Sequence, residues 1–246
     1  MQARALPRIP EVRPGDDLAA LLTAAAATLV EPFPRGAVLV VAHKVVSKAE
    51  GRLVALDDVT PSPRAEELAR DLGKDPRHVE VVLSETAEIV RAERGVLICR
   101  THHGFVCANA GVDASNAGEG AVVLLPRDPD GSARRLRAAL PGHPAVVIAD
   151  SFGRAWRHGQ VDVAIGIAGL RPLEDWRGRH DAHGRELHAT WIAVADQIAA
   201  AADLARGGKD AGEPAVLLSG LDRWTTRDDG PGAAALLRPP AEDLFA

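Results

Sequence analysis

The stretch Ala145–Gly169, AVVIADSFGRAWRHGQVDVAIGIAG, decides how this chain is read. It opens as a buried strand, Val146-Val147-Ile148-Ala149, and turns polar at Asp150-Ser151. It then passes through Gly153, Arg154, Arg157, His158, Gly159 and Gln160 to a second apolar run, Val163–Ala168, laced with Gly166 and followed by Gly169. A carboxylate and a hydroxyl at the end of a buried strand suit a hard cation. The guanidiniums that follow suit phosphate or carboxylate, and glycines let backbone approach a ligand closely. The stretch reads as a metal–phosphate corner on a rigid scaffold. A strand–turn–strand corner with solvated arginines is the plainer alternative.

Outward from that corner, short apolar runs alternate with amphipathic ones. Ala37–Ala42, His78–Ser84, Gly95–Cys99, Ala121–Leu125 and Ala215–Ser219 read as strands. Leu18–Val30, capped by Asp16 or Asp17, and Pro63–Leu72, closed by Gly73, read as helices. So do Ser132–Leu140, with Arg134, Arg135 and Arg137 outward, and Glu186–Ala205, where Leu187, Trp191, Val194, Ile198 and Ala202 recur at helical spacing. Residues 6–17 and 170–184 read as loop, and the tail to Ala246 is rich in Pro and Gly. There is no internal repeat and no clear linker.

Two further segments carry unusual chemistry. Directly after the strand Ala37–Ala42 come His43, Lys44 and Lys48, the basic groups an anionic ligand needs; a solvated helix start is the alternative. Thr101–Asn116, THHGFVCANAGVDASN, lies between apolar runs yet has few large apolar side chains. Its Asp113 and Asn116 point at one ligand if the segment turns helically; an Asx-rich turn that caps itself is the alternative.

Bulk properties exclude several function classes. The chain has 246 residues, 46% hydrophobic and 26% charged, a net charge of -5 and a pI near 6.0, which argues against a dedicated nucleic-acid binder. With no Tyr, four Phe and four Trp, a base-stacking platform is excluded. The N-terminus lacks an apolar signal core, and no apolar run approaches the ~18–20 residues that span a membrane. A cytoplasmic protein with reduced Cys99 and Cys107 is expected.

Common motifs fail. Gly208-Lys209 is not a Walker A loop, because Asp203 stands where the first Gly belongs, and no Gly-x-Gly-x-x-Gly occurs. Cys99 and Cys107 lack zinc spacing, and Cys107 reads better as a small buried residue than as a nucleophile. His180, His183 and His188 fit no zinc box, and His102 and His103 cannot both face one side of a strand. What remains is distributed: Lys48, Asp113, Asn116, Asp150, Ser151, Arg154 and Gln160. Acid and amide groups that hold a divalent ion, with cations that neutralise polyphosphate, are the minimum kit for phosphoryl transfer.

The chain resembles the coenzyme F-420:L-glutamate ligases, also called factor-420-0 gamma-glutamyl ligases. The resemblance rests on RIPEVRPGDDL (8–18), KVVSKAEGR (44–52), GKDPRHVEVVL (73–83), HGFVCANAGVDASN (103–116), ADSFGRAWRHGQVDVAIG (149–166) and DAHGRELHATWIAVADQIAAAADLARGGK (181–209). It implies an α+β fold of its own, with mixed sheets, packed helices and no P-loop, in an intertwined homodimer. It implies one unit over residues 1–246, with room for two structural lobes and no C-terminal nitroreductase-like domain. It implies a cytoplasmic enzyme that consumes GTP with Mg2+ or Mn2+, and in some settings K+. The enzyme would phosphorylate the terminal carboxylate of a deazaflavin precursor. L-glutamate would then attack the acyl phosphate, and later rounds would add glutamate through gamma linkages. No nucleic-acid or membrane partner is implied.

Carried onto this sequence, the family's metal ligands fall on Asp113, Asp150 and Ser151, where a threonine is usual at the last. Asn116 and the segment Ile9-Pro10-Glu11-Val12 match nucleotide contacts, and Lys48 matches a phosphate contact. Arg154 and Gln160, in the same motif as Asp150, are the candidates for a substrate carboxylate or phosphate. His43 stands in a Thr-Ser-Lys motif that here reads Ala42-His43-Lys44, which bears on nucleotide identity. Gln197 replaces a common acid, and Gly207-Gly208-Lys209 runs one residue long. These departures leave room for a homologue acting on another carboxylic acid. A metal-dependent phosphohydrolase and a non-catalytic nucleotide-binding regulator are the alternatives from other classes.

Overall fold

The computed structural model describes residues 1–208 and 210–243; Lys209, with the loop length read around it, and the last residues of the tail lie outside that description. The fold is α+β with mixed sheets. In chain order the strands and helices are β1 (Gln2–Ala5), α1 (Leu18–Ala26), β2 (Val38–Ala42), α2 (His43–Ala49), β3 (Leu53–Ala55), α3 (Pro63–Leu72), α4 (Pro76–Ser84), β4 (Thr86–Glu93), β5 (Val96–Thr101) and β6 (Val106–Ala108). There follow β7 (Ala121–Val123), α5 (Pro129–Ala139), β8 (Ala145–Arg154), β9 (Arg157–Ala168), β10 (Leu173–Asp175), β11 (Trp191–Ala193), α6 (Val194–Ala205) and β12 (Ala215–Ser219).

A five-stranded sheet in the order β1-β12-β2-β8-β9 forms the centre. Only β2 and β8 run parallel; the other neighbours are antiparallel. Both faces of the sheet are covered, so its middle strands read as unbroken apolar runs. Leu39, Val41, Val146, Ile148 and Leu217 point to one face, where α1, α2 and α5 pack. Val38, Val40, Val147, Val216 and Leu218 point to the other, against Ile198, Ala199 and Ala202 of α6. A separate core gathers Ala65, Ala69, Val79, Val82, Leu97, Cys99 and Val122 from α3, α4, β5 and β7.

Local signals set most boundaries. Asp17 caps α1 by accepting from Ala20 N at 3.0 Å, and Ser62 caps α3. Gly73 closes α3 at φ 65°, a conformation with no steric cost for glycine. The structure corrects the strand expected at His78–Ser84, which is helix α4. Its valines are β-branched, but Asp75 accepts from Arg77 N at 2.8 Å and Pro76 takes the first helical position, a start signal that overrides strand preference. Val79 and Val82, three apart, then fall on one buried side.

The long helix expected from Glu186 begins only at Val194. Trp191–Ala193 pairs instead with Leu173–Asp175, and Leu187 N bonds Arg179 O at 2.8 Å, so the preceding residues fold back as a hairpin. The Arg177 guanidinium stacks 4.2 Å from the Trp191 ring. Helical spacing lost to this pairing. Helix α1 stops at Ala26, short of Val30. Arg134 and Arg135 point outward as expected, but Arg137 does not: its Nη1 bonds Asp229 at 2.9 Å, and its Nη2 bonds the carbonyls of Thr226 and Arg227. It ties the C-terminal segment to α5.

Gly166 makes room for protein. A Cβ there would lie 2.4 Å from the Pro129 carbonyl oxygen, where β9 meets the first turn of α5. That carbonyl cannot swing away as a side-chain end would. Gly166→Ala is expected to lower stability by about 1–3 kcal/mol, read as an earlier midpoint of urea unfolding with an unchanged slope.

Candidate active site

The parallel pairing of β2 and β8 builds the site. Their last partners are Ala42 and Ala149; there β2 turns into α2 at His43-Lys44, while β8 runs on through Asp150-Ser151 paired with β9 alone. The carboxyl ends of parallel strands are where open sheets bind ligands. β9 returns antiparallel, setting Asp162 opposite Ser151 and Gln160 opposite Gly153. These groups border a cavity of about 520 Å³. Its wall also includes Ile9, Pro10, Glu11 and Val12, Lys48 of α2, Asp113 and Asn116, and the segment after α6.

The sequence candidates that meet there are thus Ile9–Val12, His43, Lys48, Asp113, Asn116, Asp150, Ser151 and Gln160. Arg154 does not line the cavity. It lies exposed at the tip of the β8–β9 hairpin, where its Nη2 donates to the His158 carbonyl at 2.5 Å. Trp156 at the same tip is 82% exposed. The histidines set aside on the sequence stay outside: His102 and His103 bond backbone carbonyls, and His183 and His188 are exposed.

Sequence reasoning missed Asp162 and Arg206. Lys44, read with His43 and Lys48 as a basic group after the strand, also lines the cavity. Asp162 was hidden among the valines of β9, although a charged residue inside an apolar strand is itself a signal. Arg206 follows α6 and becomes part of the cavity only through the return to β12.

The cations are met by acids of the same chain. The Lys48 ammonium, 6% exposed, bonds the Glu11 carboxylate. Lys44 Nζ lies 2.7 Å from Asp113 Oδ2. The buried His43 Nε2 lies 3.3 Å from Asp150 Oδ1, without hydrogen-bond alignment. Arg206 Nη1 donates to Asp162 Oδ2 at 2.6 Å, while its Nε and Nη2 have no hydrogen-bond partner.

Asp113 also accepts from Ser115 N at 2.6 Å, which makes it a self-capping Asx turn as well as a cavity residue. Burial pushes its carboxyl up, but the hydrogen bonds from Lys44 and Ser115 outweigh that and hold it below the ordinary aspartate range. Its stabilising effect is therefore present above the unfolded pKa and fades as pH falls through the folded one.

Asp150, Ser151 and Asp113 are oxygen donors suited to a hard divalent ion. Among the described residues no three His, Cys, Asp or Glu side chains form a metal cage. A divalent ion can also be held by one or two carboxylates together with substrate phosphates and water. Asp150 and Ser151 fit this role directly. Asp113 already serves Lys44 and Ser115, so it would share its oxygens.

Cys99 and Cys107 face each other across β5 and β6, both buried. Burial, then the Asp150 and Cys99 charges, push the Cys107 thiol up to about 12, and burial raises Cys99 as well. Neither is a nucleophile at neutral pH. Iodoacetamide at pH 8 is expected to leave both unmodified in the folded protein and to alkylate both in guanidinium, as counted by mass spectrometry.

Comparison with known proteins identifies the family. The family model described as F420-0:Gamma-glutamyl ligase matches residues 7–220. Over 241 residues the chain is 46% identical to the coenzyme F420:L-glutamate ligase of Methanothermobacter thermautotrophicus, covering 96% of this chain and 95% of that protein. It is 48% identical over 240 residues to the coenzyme F420:L-glutamate ligase of Methanopyrus kandleri, with 96% and 93% covered. The like-named protein of Methanocaldococcus jannaschii is 41% identical over 218 residues, with 87% and 86% covered. The cavity-lining segments from Ile9 to Pro214 all lie inside the matched span, and the chain belongs to the F420-0:gamma-glutamyl ligase family.

Proposed function

We propose that this protein is a GTP- and divalent-metal-dependent ligase that joins L-glutamate to the terminal carboxylate of the deazaflavin precursor F420-0. The observation that carries this reading is the cavity itself. In a chain of this family, Asp150 of β8, Asp113 of a loop and a buried lysine converge just past the end of the β2–β8 pairing.

An acceptor carboxylate oxygen attacks the γ-phosphorus of GTP, and GDP leaves. The glutamate amine then attacks the acyl carbon, phosphate departs, and the amine gives up a proton. Positioning and charge neutralisation carry most of such a transfer. Lys48 is placed to offset charge on the phosphates. It would exchange Glu11, whose side chain is largely exposed and free to swing out, for a phosphate oxygen. Asn116 and Ile9–Val12 border the nucleotide in this reading, with His43 beside its phosphates. Mg2+ or Mn2+, held by Asp150, Ser151 and Asp113, would neutralise phosphate oxygens. Gln160 at the cavity edge serves a substrate carboxylate or phosphate, and Arg154 serves it from the hairpin tip. The same reading expects a homodimer. No helix among the described residues is long and apolar enough to cross a membrane.

Purified protein is expected to convert GTP, Mn2+, L-glutamate and F420-0 into GDP and a product heavier by one or more glutamates, read by mass spectrometry. Folded protein that binds GTP but leaves the precursor unmodified would sink the assignment. Phosphate release that needs no glutamate would point to hydrolysis instead. Asp150→Ala removes a proposed metal ligand while exposing little core. Its GDP release is expected to fall by about 100-fold or more, matching several kcal/mol of lost charge stabilisation.

A further inference from the structure

Ser151 occupies an unusual position for a hydroxyl. A serine side chain has staggered alternatives, and its hydrogen rotates to suit its neighbours. Here both freedoms are removed. Ser151 Oγ donates to Asp162 Oδ1 at 2.7 Å, across a register pair of β8 and β9. Asp162 is 2% exposed, and its other oxygen accepts from Arg206 Nη1 at 2.6 Å. Asp203, 3.8 Å from the same nitrogen, adds a second acid to the guanidinium.

This chain of contacts has no evident use as a prop for the fold. Asp162 is the one charged residue in the apolar half of β9, Val161–Ala168. A buried ion pair is weak evidence of stabilisation, since an apolar pair of like volume often does as well. What the pair does accomplish is directional. A carboxylate only accepts hydrogen bonds. The hydroxyl hydrogen of Ser151 is therefore committed toward β9, and its lone pairs are left for the cavity that Ser151 lines beside Asp150. Asp150 Oδ1 is occupied too, by Ser151 N at 2.8 Å and by the nearby His43 ring.

We propose that Asp162 is a positioning residue for the cation site: it fixes the Ser151 hydroxyl with its lone pairs toward the ion, and Arg206 fixes Asp162. The proposal rests on the metal reading given above. Partners behind a metal ligand commonly change metal affinity by about 10–100-fold when removed.

The test is Mn2+ binding to the purified protein without nucleotide, followed by the EPR signal of free Mn2+. Asp162→Ala combined with Arg206→Met removes both charges together and strands neither in the interior. This pair is expected to bind Mn2+ about 10–100-fold more weakly than wild type, with Ser151→Ala weakened to a similar degree. Adding Ser151→Ala to the pair should cost nothing more, because Asp162 acts through Ser151. Asp162→Asn made together with Arg206→Met keeps an acceptor oxygen for Ser151, strands no guanidinium and is expected to retain most of the affinity. It also serves if the paired variant fails to fold.

Unchanged affinity in the paired variant overturns the proposal, as do losses that simply add with Ser151→Ala. A loss in Asp162→Asn with Arg206→Met as large as that in the alanine pair also overturns it, since charge rather than the hydrogen bond would then be acting. A wild type that binds no Mn2+ brings down the metal reading and this proposal together. A wild type that binds Mn2+ as well as its paired variant does brings down the proposal alone.

Discussion

The parallel pairing of β2 with β8 is the constraint on which the rest of this structure depends. It is the one parallel contact in the central sheet, and it ends with Ala42 beside Ala149. What the cavity needs first follows there: the start of α2 with His43, Lys44 and Lys48, and Asp150-Ser151, where β8 runs on paired with β9 alone. A shift of either strand by one residue would turn Leu39, Val41, Val146 and Ile148 from one packed face to the other. Both faces are covered, by α1, α2 and α5 on one side and α6 on the other, so the register is held by packing from both directions. The site inherits that rigidity.

The second constraint is electrostatic. Unpaired buried cations carry a heavy desolvation cost, and this cavity gathers several. The chain answers by giving each an acid: Lys48 has Glu11, Lys44 has Asp113 and Arg206 has Asp162. The pairs differ in how freely they open. Glu11 is exposed and its partner buried, so that pair can exchange for an anionic ligand at little structural cost. Asp162 and Arg206 are both shielded, so that pair behaves as part of the wall. A polyphosphate entering the cavity would meet cations already held in place, which lowers the cost of organising them on binding.

Much of this was legible in the residues. The strand at Ala215–Ser219, the helix at Pro63–Leu72 and the apolar runs at either end of Ala145–Gly169 carry strong local patterns, and the structure keeps them as strands and helix. The failures have identifiable causes. At His78–Ser84 the valines hid a helix that Asp75-Pro76 starts. Before Val194, helical spacing lost to a strand pairing with a partner far back in sequence, and to the stacking of Arg177 on Trp191. Gly166 and Gly169 looked like clearance for substrate. Their missing side chains instead admit Pro129 and Arg137.

By itself the sequence determined the alternation of buried strands and amphipathic helices, and which short polar segments interrupt them. Those are local properties: apolar periodicity, capping side chains and glycine freedom act over a few residues. The sequence could also nominate Lys48, Asp113, Asn116, Asp150, Ser151 and Gln160, because their side-chain chemistry is visible without a fold. Only the tertiary structure decided that they border one cavity and that Arg154 stands away from it. Only the tertiary structure set Asp162 opposite Ser151 and brought Arg206 against Asp162. Those facts depend on strand order and register, which join residues tens of positions apart and leave no mark in any local window.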